Sequence, residues 1–384
     1  MNNFADDEFK PIDETPKPEV KKEKASPSSD GDISDDSSGG RKSLRVPLRI
    51  LGGLFIIGTA VSLYWARIPG TFNVTEVARK KAVASGHREL DEPLPRGYRT
   101  VATTIHLAEL LLEKPGGYQS NDWSPMTRIP DNMRNWEQGA IVQLRVVVQG
   151  LRYELSRSGP LSGELDELNL ADARFNYNNK RWILQSTESQ YKQGIGFLED
   201  YLEMINGSTT PGKYFTIRQD QVIDFLGRQQ KMLGTYTTNL QNNIGTVTLD
   251  TSVLQEEIPE GLEVTADADQ QAIEEKANEV STLRERDDVF YQARGGLFVM
   301  YHVMLAMRKD CESILNDTNS MGVMNRVVNE LEGACKPMGS PMVLNGSEYG
   351  AVQNHSLVLV GHVSKAHFAI KELQRQMAGG GSSN

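Results

Sequence analysis

The feature that most constrains the fold is a run of seventeen uncharged residues, 50–66, between Arg49 and Arg67. As a helix rising about 1.5 Å per residue, the run would be roughly 25 Å long. The apolar residues at 46–48 extend it towards the thickness of a bilayer's hydrocarbon core. A buried helix of a soluble protein is the alternative, but the run has no polar face. The sequence therefore predicts a single transmembrane helix within residues 45–67.

The charges flanking this run predict its orientation. Four basic residues lie close on its amino side: Arg41, Lys42, Arg45 and Arg49. Only Arg67 is close on the other side, so the positive-inside rule places the amino terminus in the cytoplasm and the bulk of the chain outside it. A cleaved signal peptide starts with a short basic region, whereas more than forty residues precede this run. We expect an uncleaved anchor. Gly58 and Ser62 form a small-xxx-small pair, which leaves a homo-oligomer open.

Residues 1–44 are predicted to be a disordered cytoplasmic tail. Residues 1–40 contain eleven acids and five lysines, and the whole chain has a net charge of −10. Such a polar segment buries too little apolar surface to offset its ordering entropy. Because no block of clustered lysine and arginine occurs elsewhere, we do not expect a nucleic-acid partner.

Past Phe72 the apolar residues recur at helical spacing, which predicts a mainly α extracytoplasmic domain resembling a helical bundle. The predicted helical runs are 100–113, 131–151, 163–176, 187–206, 217–244, 268–290, 295–316, 321–334 and 356–377. One short segment, Thr246–Val253, alternates like a strand. It lies in a join, 246–266, between two predicted helical lobes, 68–245 and 267–377. Residues 378–384 are expected to form a flexible carboxyl terminus.

The stretch "GGYQSNDWSPMTRIPDNMRNWEQG", 116–139, is predicted to be a structural corner between two helices. Pro115 cannot continue a helix, and Gly116 and Gly117 readily take the left-handed conformation that ends one. Asp131 is expected to cap the next helix, and Trp136 lies on its apolar stripe, which favours a core position. Three residues of the corner remain candidates for ligand binding: Tyr118, Asp122 and Trp123.

Three segments carry a resemblance to a known family: "GGYQSND", "DNMRNWEQG" and "LRYELSRSG", behind an amino-terminal anchor. Together they resemble an uncharacterised family of bacterial membrane proteins, domain of unknown function 2333. The resemblance extends from about the anchor to the last helix, although "SRSGPLSGELDEL" departs from the family's pattern. It implies a proteobacterial envelope setting and no catalytic residue. With the orientation given by the flanking charges, we expect the anchor in the inner membrane and the main domain in the periplasm.

The carboxylates of "SGELDEL" are the candidates for catalysis: Glu164, Asp166 and Glu167. A glycan-cleaving enzyme uses a carboxylic acid to protonate the leaving oxygen. Acids that follow Ser162 also suit a helix amino terminus, where the helix dipole favours negative charge. The chain has no nucleophile-elbow, phosphate-loop or dinucleotide motif.

The two cysteines, Cys311 and Cys335, would lie in an oxidising compartment, where a disulfide is reasonable. In an antiparallel hairpin of their two predicted helices, however, the cysteines would be on the order of 13 Å apart along the helix axis. The sequence leaves the disulfide open. The six histidines show no metal-ligand spacing, so neither a metal site nor a cofactor is expected. His302 is predicted to be a hydrogen-bonded core histidine.

Two functions follow as expectations. The first is a non-enzymatic envelope protein, anchored in the lipid bilayer, whose periplasmic helical domain binds another envelope protein. The second is a membrane-anchored enzyme that cleaves cell-wall or other polysaccharide with a carboxylate, with Trp123 and Tyr118 as sugar platforms. A ligand sensor ranks behind both, because the tail contains no output domain.

Overall fold

The computed structural model describes residues 45–86, 92–122, 131–156, 163–181, 186–208, 213–244, 283–340, 343–345 and 353–379. These residues contain the helices α1 Arg45–Trp65, α2 Val74–Ala84, α3 Tyr98–Glu113, α4 Asn132–Gly150, α5 Asp166–Phe175, α6 Thr187–Asn206, α7 Gln219–Ile244, α8 Leu283–Asp310, α9 Glu312–Asp317, α10 Met321–Cys335 and α11 His355–Gly379. A π-helical turn, Leu151–Leu155, continues α4. The described part contains no strand beyond one isolated bridge, Asn345 with Asn354. The predicted mainly α fold is confirmed.

Several predicted segments lie outside the described residues: the tail 1–44, the strand Thr246–Val253 and the join 246–266. The chain divides into two units, Met1–Leu54 and Phe55–Asn384. In the first unit the described part is the beginning of α1. The second unit contains the rest of α1 and all the other helices.

The predicted break between the runs 268–290 and 295–316 is wrong, because α8 continues from Leu283 to Asp310 without interruption. Gly295 and Gly296 lie at this predicted break, inside the continuous helix. A Cβ on Gly295 would lie 1.8 Å from the Trp136 carbonyl oxygen, and one on Gly296 would lie 2.0 Å from the Tyr236 hydroxyl. The glycines allow neighbouring helices to approach at the backbone. Helix α2, the first after α1, was not predicted from the sequence.

The closest crossing in the bundle is between α4 and α8, which pack on each other more extensively than any other described pair. On the α4 side, a Cβ on Gly139 would lie 1.7 Å from the Gln292 carbonyl oxygen. Gly139 and Gly295 therefore face each other's helices, and only glycine fits at either position. The aromatic ring of Trp136 packs beside this crossing, 5.3 Å from the ring of Phe298 and 1% exposed. This confirms Trp136 as a core residue.

The two predicted lobes are not separate in the structure. Helix α8 packs on α4, and α11 packs on α7, so each main contact joins one predicted lobe to the other. The buried apolar side chains form a single cluster drawn from both halves of the chain. Helical periodicity shows which face of a helix is apolar, but it does not show which two apolar faces meet.

Among the residues that the structure describes, none of the helices combines the length and the apolar character needed to cross a membrane. Seven of the described apolar side chains of α1 are nevertheless exposed. Each of the following is more than half exposed: Ile50, Leu54, Phe55, Ile56, Ile57, Leu63 and Tyr64.

The linker after α1 is fixed to the core through Phe72. The Phe72 N–H donates to Nε2 of His302 over 3.1 Å, and its ring stacks on the imidazole at a centroid distance of 4.0 Å. The other ring nitrogen of His302, Nδ1, lies 2.7 Å from the Phe298 carbonyl oxygen, to which it must donate. Only the neutral imidazole with its proton on Nδ1 makes both bonds. The predicted hydrogen-bonded core histidine is confirmed.

Replacing Gly295 with alanine will lower the free energy of unfolding by at least about 2 kcal/mol, because the new methyl group would overlap the α4 backbone. Gly234 is the matched control, since it lies inside α7 with nothing within 4 Å of a Cβ. Gly234→Ala should stabilise the protein by about 0.5–1 kcal/mol through the loss of glycine's freedom in the unfolded chain. Urea unfolding followed by circular dichroism measures both. Equal effects at the two positions would contradict the close crossing.

The stability of the protein will fall in acid because of His302. Burial lowers the pKa of His302 from 6.5 to about 4. The unfolded chain therefore binds a proton that the folded protein excludes, so this contribution is complete above pH 6.5 and is lost as the pH falls to 4. Relative to His302→Gln, the wild type should lose roughly 3 kcal/mol over that window. Urea unfolding at a series of pH values gives the difference, in which groups common to both proteins cancel. Parallel profiles would contradict it.

Candidate functional site

The candidate site is centred on Glu137, an acid at a core-facing position of α4. It lies one turn from both Met133 and Ala140 on the apolar stripe of the helix, and it is completely buried. A carboxylate removed from water costs several kcal/mol unless charged and hydrogen-bonding partners surround it. The structure must therefore supply such partners around Glu137.

The partners come from the corner after α3. Lys114 forms a buried ion pair with Oε1 of Glu137. The Gln119 N–H donates to both carboxylate oxygens, over 2.9 and 3.0 Å. Ser120 donates to Oε2 from its N–H over 2.7 Å and from its hydroxyl over 2.6 Å. We call residues 114–121 together with Glu137 the carboxylate turn.

Local sequence explains why the chain can wrap around Glu137. Helix α3 ends at Glu113, and Pro115 follows its C-cap residue. Gly116 and Gly117 have φ angles of +84° and +65°, in the left-handed region that favours glycine. The predicted helix end at Pro115–Gly117 is confirmed. Asp131 stands at the N-cap position of α4 but makes no side-chain cap hydrogen bond, so its predicted capping role is wrong.

The electrostatics of the carboxylate turn reflect two opposing influences. Burial raises the pKa of Glu137 above its ordinary value, while Lys114, Ser120 and the Gln119 N–H oppose that rise. Arg134 adds a further tie, because it donates to the Ser120 carbonyl oxygen over 3.0 Å. The Lys114 ammonium, the Gln119 N–H and both donors of Ser120 thus have acceptors inside the protein. This arrangement fixes a chain segment, and it presents no free acid to a substrate.

The carboxylate turn also contacts the end of α1. The Gln119 side chain donates from Nε2 to the Trp65 carbonyl oxygen over 3.0 Å. That carbonyl is one of the last four of α1, which have no partner within the helix. A Cβ on Gly116 would lie 2.7 Å from Cγ of Trp65, so the Trp65 ring rests directly on the turn. The carboxylate turn therefore holds the end of α1 against the bundle, in addition to the attachment at Phe72.

The predicted binding residues of the corner have different surroundings. Tyr118 is 3% exposed, its hydroxyl donates to the Asn179 carbonyl oxygen over 3.3 Å, and its ring packs edge-on against Tyr191. Its burial argues against a role as a sugar platform. Asp122 is partly exposed, and burial and then Glu188 raise its pKa. Trp123 lies outside the described residues, so the binding role stays a prediction for Asp122 and Trp123.

The candidate catalytic acids do not form one constellation. Glu164 accepts from Arg152 through Oε2, over 2.9 Å from Nε and 2.6 Å from a terminal nitrogen. Arg152 also donates to Asp172 over 2.6 Å. Asp166 and Glu167 lie in the first turn of α5, where the helix dipole favours them. These contacts suit an ion-pair network beside a helix amino terminus.

Three buried carboxylates were not predicted as such from the sequence: Glu137, Asp172 and Asp310. Asp310, at the end of α8, accepts from the N–H and the hydroxyl of Thr100, each over 2.8 Å, and from Arg99 over 3.2 Å. It holds the start of α3, whose N-cap residue Gly97 has no side chain to cap the helix. Burial raises the pKa of Asp310 to about 6. The sequence did contain a signal for Glu137, because an acidic residue stands there within the apolar stripe of a predicted helix.

Both cysteines are free thiols in the structure. Cys311 is buried, and burial raises the pKa of Cys335 to about 12. Across the described ranges, no group of three or more histidine, cysteine, aspartate or glutamate side chains could hold a metal ion.

Fold and site together define a class: a mainly α-helical protein in which a buried carboxylate on α4 holds a turn that also contacts the end of α1. Within that class, the chain belongs to a family of uncharacterised proteins conserved in bacteria, domain of unknown function 2333, whose family model matches residues 41–380. The resemblance drawn from the three sequence segments is thereby confirmed. The chain matches no curated protein and no solved structure.

The ion pair of the carboxylate turn will prove strongly coupled. Lys114→Met or Glu137→Gln alone should each lower the free energy of unfolding by about 3–5 kcal/mol, because each leaves a buried polar group without its partner. The double variant should lose less than the sum, since the amide oxygen introduced at position 137 can still accept from Gln119 and Ser120. Denaturant unfolding of the four proteins gives the coupling energy.

The matched control is the exposed pair Glu76–Lys80 on α2, whose side chains are 60% and 74% exposed. Removing either partner there should leave stability unchanged, because solvent screens the pair. If the two pairs behaved alike, Glu137 would not be the centre of the turn.

Proposed function

We propose that this protein is a single-pass inner-membrane protein whose helical bundle faces the periplasm and acts, without catalysis, by binding another envelope protein. The observation that carries the proposal is the outward-facing apolar surface of α1. Seven of its described side chains are each more than half exposed, namely Ile50, Leu54, Phe55, Ile56, Ile57, Leu63 and Tyr64, whereas the large apolar side chains of the bundle are mostly buried. An exposed apolar surface of this extent requires a cover, and a lipid bilayer is the cover that fits a helix.

The charges support the orientation. Arg41, Lys42, Arg45 and Arg49 precede the apolar run, and Arg67 alone closely follows it. The positive-inside rule therefore favours a cytoplasmic amino terminus. Membership of a bacterial family fits an inner-membrane location.

The interaction role is supported by how the polar groups are used. The buried carboxylates Glu137 and Asp310 are occupied in holding helix ends and turns. The carboxylate-enzyme alternative has less support, because Arg152 donates two hydrogen bonds to Glu164 and Tyr118 is buried. Exposed apolar side chains on the bundle, Leu170, Val358 and Phe368, are 44–62% exposed and offer contact points for a protein partner.

The anchor can be tested with one substitution. Ile57→Arg places a charge in the middle of the apolar run, which costs about 2.5–3.5 kcal/mol on the insertion scale. Because the run is only seventeen residues long, that cost should shift the protein from the carbonate-resistant membrane fraction to the soluble or degraded fraction. Ile57→Leu is the control and should remain membrane-bound. Equal membrane retention of both variants would count heavily against the anchor.

The partner can be sought by photo-crosslinking in cells. A photoreactive amino acid at Phe368, Val358 or Leu170 should give one discrete crosslinked envelope protein, identified by mass spectrometry. Protein without the photoreactive residue is the control. If all three positions yield only self-links or no links, the interaction role is wrong, and digestion of cell-wall polymers by the purified protein becomes the decisive assay.

A further inference from the structure

The last turn of α1 is covered by the bundle. Ser62 is 7% exposed, and Trp65 is half-buried, although Leu63 and Tyr64 between them are more than half exposed. Ser62 and Trp65 are three residues apart and therefore share one face of the helix. The Trp65 end of that face rests on Gly116 and is bonded to Gln119. The bundle thus reaches the apolar helix itself.

The apolar length that remains is short for a membrane span. From Val46 to Val61 there are sixteen residues, which as a helix extend about 24 Å. The hydrocarbon core of a typical bilayer is about 30 Å thick. An anchor shorter than the core brings whatever is attached to its end into the interface, or thins the bilayer locally.

The aromatic residues at the end of α1 indicate the level of the interface. Tyr64 and Trp65 are of the kind that lies at the headgroups. Because Gly116 touches the Trp65 ring, the turn at 113–117 lies at the same level as that ring. Seven residues later, Phe72 is bonded and stacked on His302, so the linker 67–72 also follows the surface of the bundle. No free tether separates the bundle from α1.

On the basis of the proposed anchor, we propose that residues 67–72 and 113–117, which we call the collar, lie in the headgroup layer of the bilayer. The occupant of this surface is lipid. The side chains of Ile68 and Phe72 pack against the core and hold the linker to the bundle.

Exposed Pro115 suits an interfacial position, while the exposed side chains of Arg67 and Glu113 carry opposite charges. Because those charges offset each other, attraction to anionic lipid should contribute little to the position of the collar. The short apolar length of α1 should determine that position instead, so contact between the collar and the headgroups should not depend on salt concentration.

The test uses the full chain, with Cys311 and Cys335 replaced by alanine, in vesicles of phosphatidylethanolamine and phosphatidylglycerol. Single cysteines at 57, 113 and 96 carry a bimane fluorophore, which lipids brominated along their chains quench. Arg96 is the matched control, because it is exposed and precedes α3, about 25 Å along that helix from Glu113. A second distant control, Tyr153, is 38% exposed at the far end of α4.

The expected result is strong loss of fluorescence at position 57, intermediate loss at 113, and none at 96 or 153, unchanged in high salt. Quenching at 57 with none at 113 would overturn the collar while leaving the anchor intact. An absence of quenching at 57 would overturn the anchor, and with it the basis for the collar. If the cysteine-free protein unfolds, a nitroxide spin label is placed at position 113 of the protein with its native cysteines. The accessibility of the label to oxygen, compared with its accessibility to a water-soluble nickel chelate, then decides the same question.

Discussion

The rest of the structure depends on one buried charge. Glu137 lies within an apolar stripe, and a carboxylate there is tolerated only when donors surround it completely. Lys114, Gln119 and Ser120 supply those donors, and to do so the chain must leave α3, turn sharply through two glycines and return to α4. The same turn then receives the end of α1. The need to pair the buried Glu137 carboxylate thus determines the path of the chain between α3 and α4.

Most of the helices could be predicted from the sequence because apolar periodicity is a local property. The run that became α6, 187–206, agrees with the structure at both ends, and the predicted α3 and α10 differ by two residues or fewer. The errors occur where a residue is required by a contact with a residue that is remote in sequence. Gly295 lies at the predicted break between 268–290 and 295–316, yet it is required by the Trp136 backbone, which is remote in sequence.

The candidate site was harder to predict for the same reason. The end of α3 and the start of α4 on either side of the corner were predicted correctly, since Pro115 and the two following glycines have local consequences. Its organising residue was missed, because the pairing of Glu137 with Lys114 is a tertiary contact between residues twenty-three positions apart. Conversely, Glu164 and its neighbouring acids were predicted as catalytic candidates because they are close in sequence, although Glu164 forms an ion pair with Arg152 in the structure. Residue type indicates what a side chain can do, and only packing determines whether it is free to do it.

Fixing the chain at both Trp65 and Phe72 has a geometric consequence. Only six residues, 66–71, lie between these two points, so the connection cannot act as a swivel between the last turn of α1 and the bundle. If two copies of α1 paired along one face, that face would determine which surfaces of the two bundles meet. The rotation of α1 about its own axis would then determine which side of the protein faces a neighbouring copy.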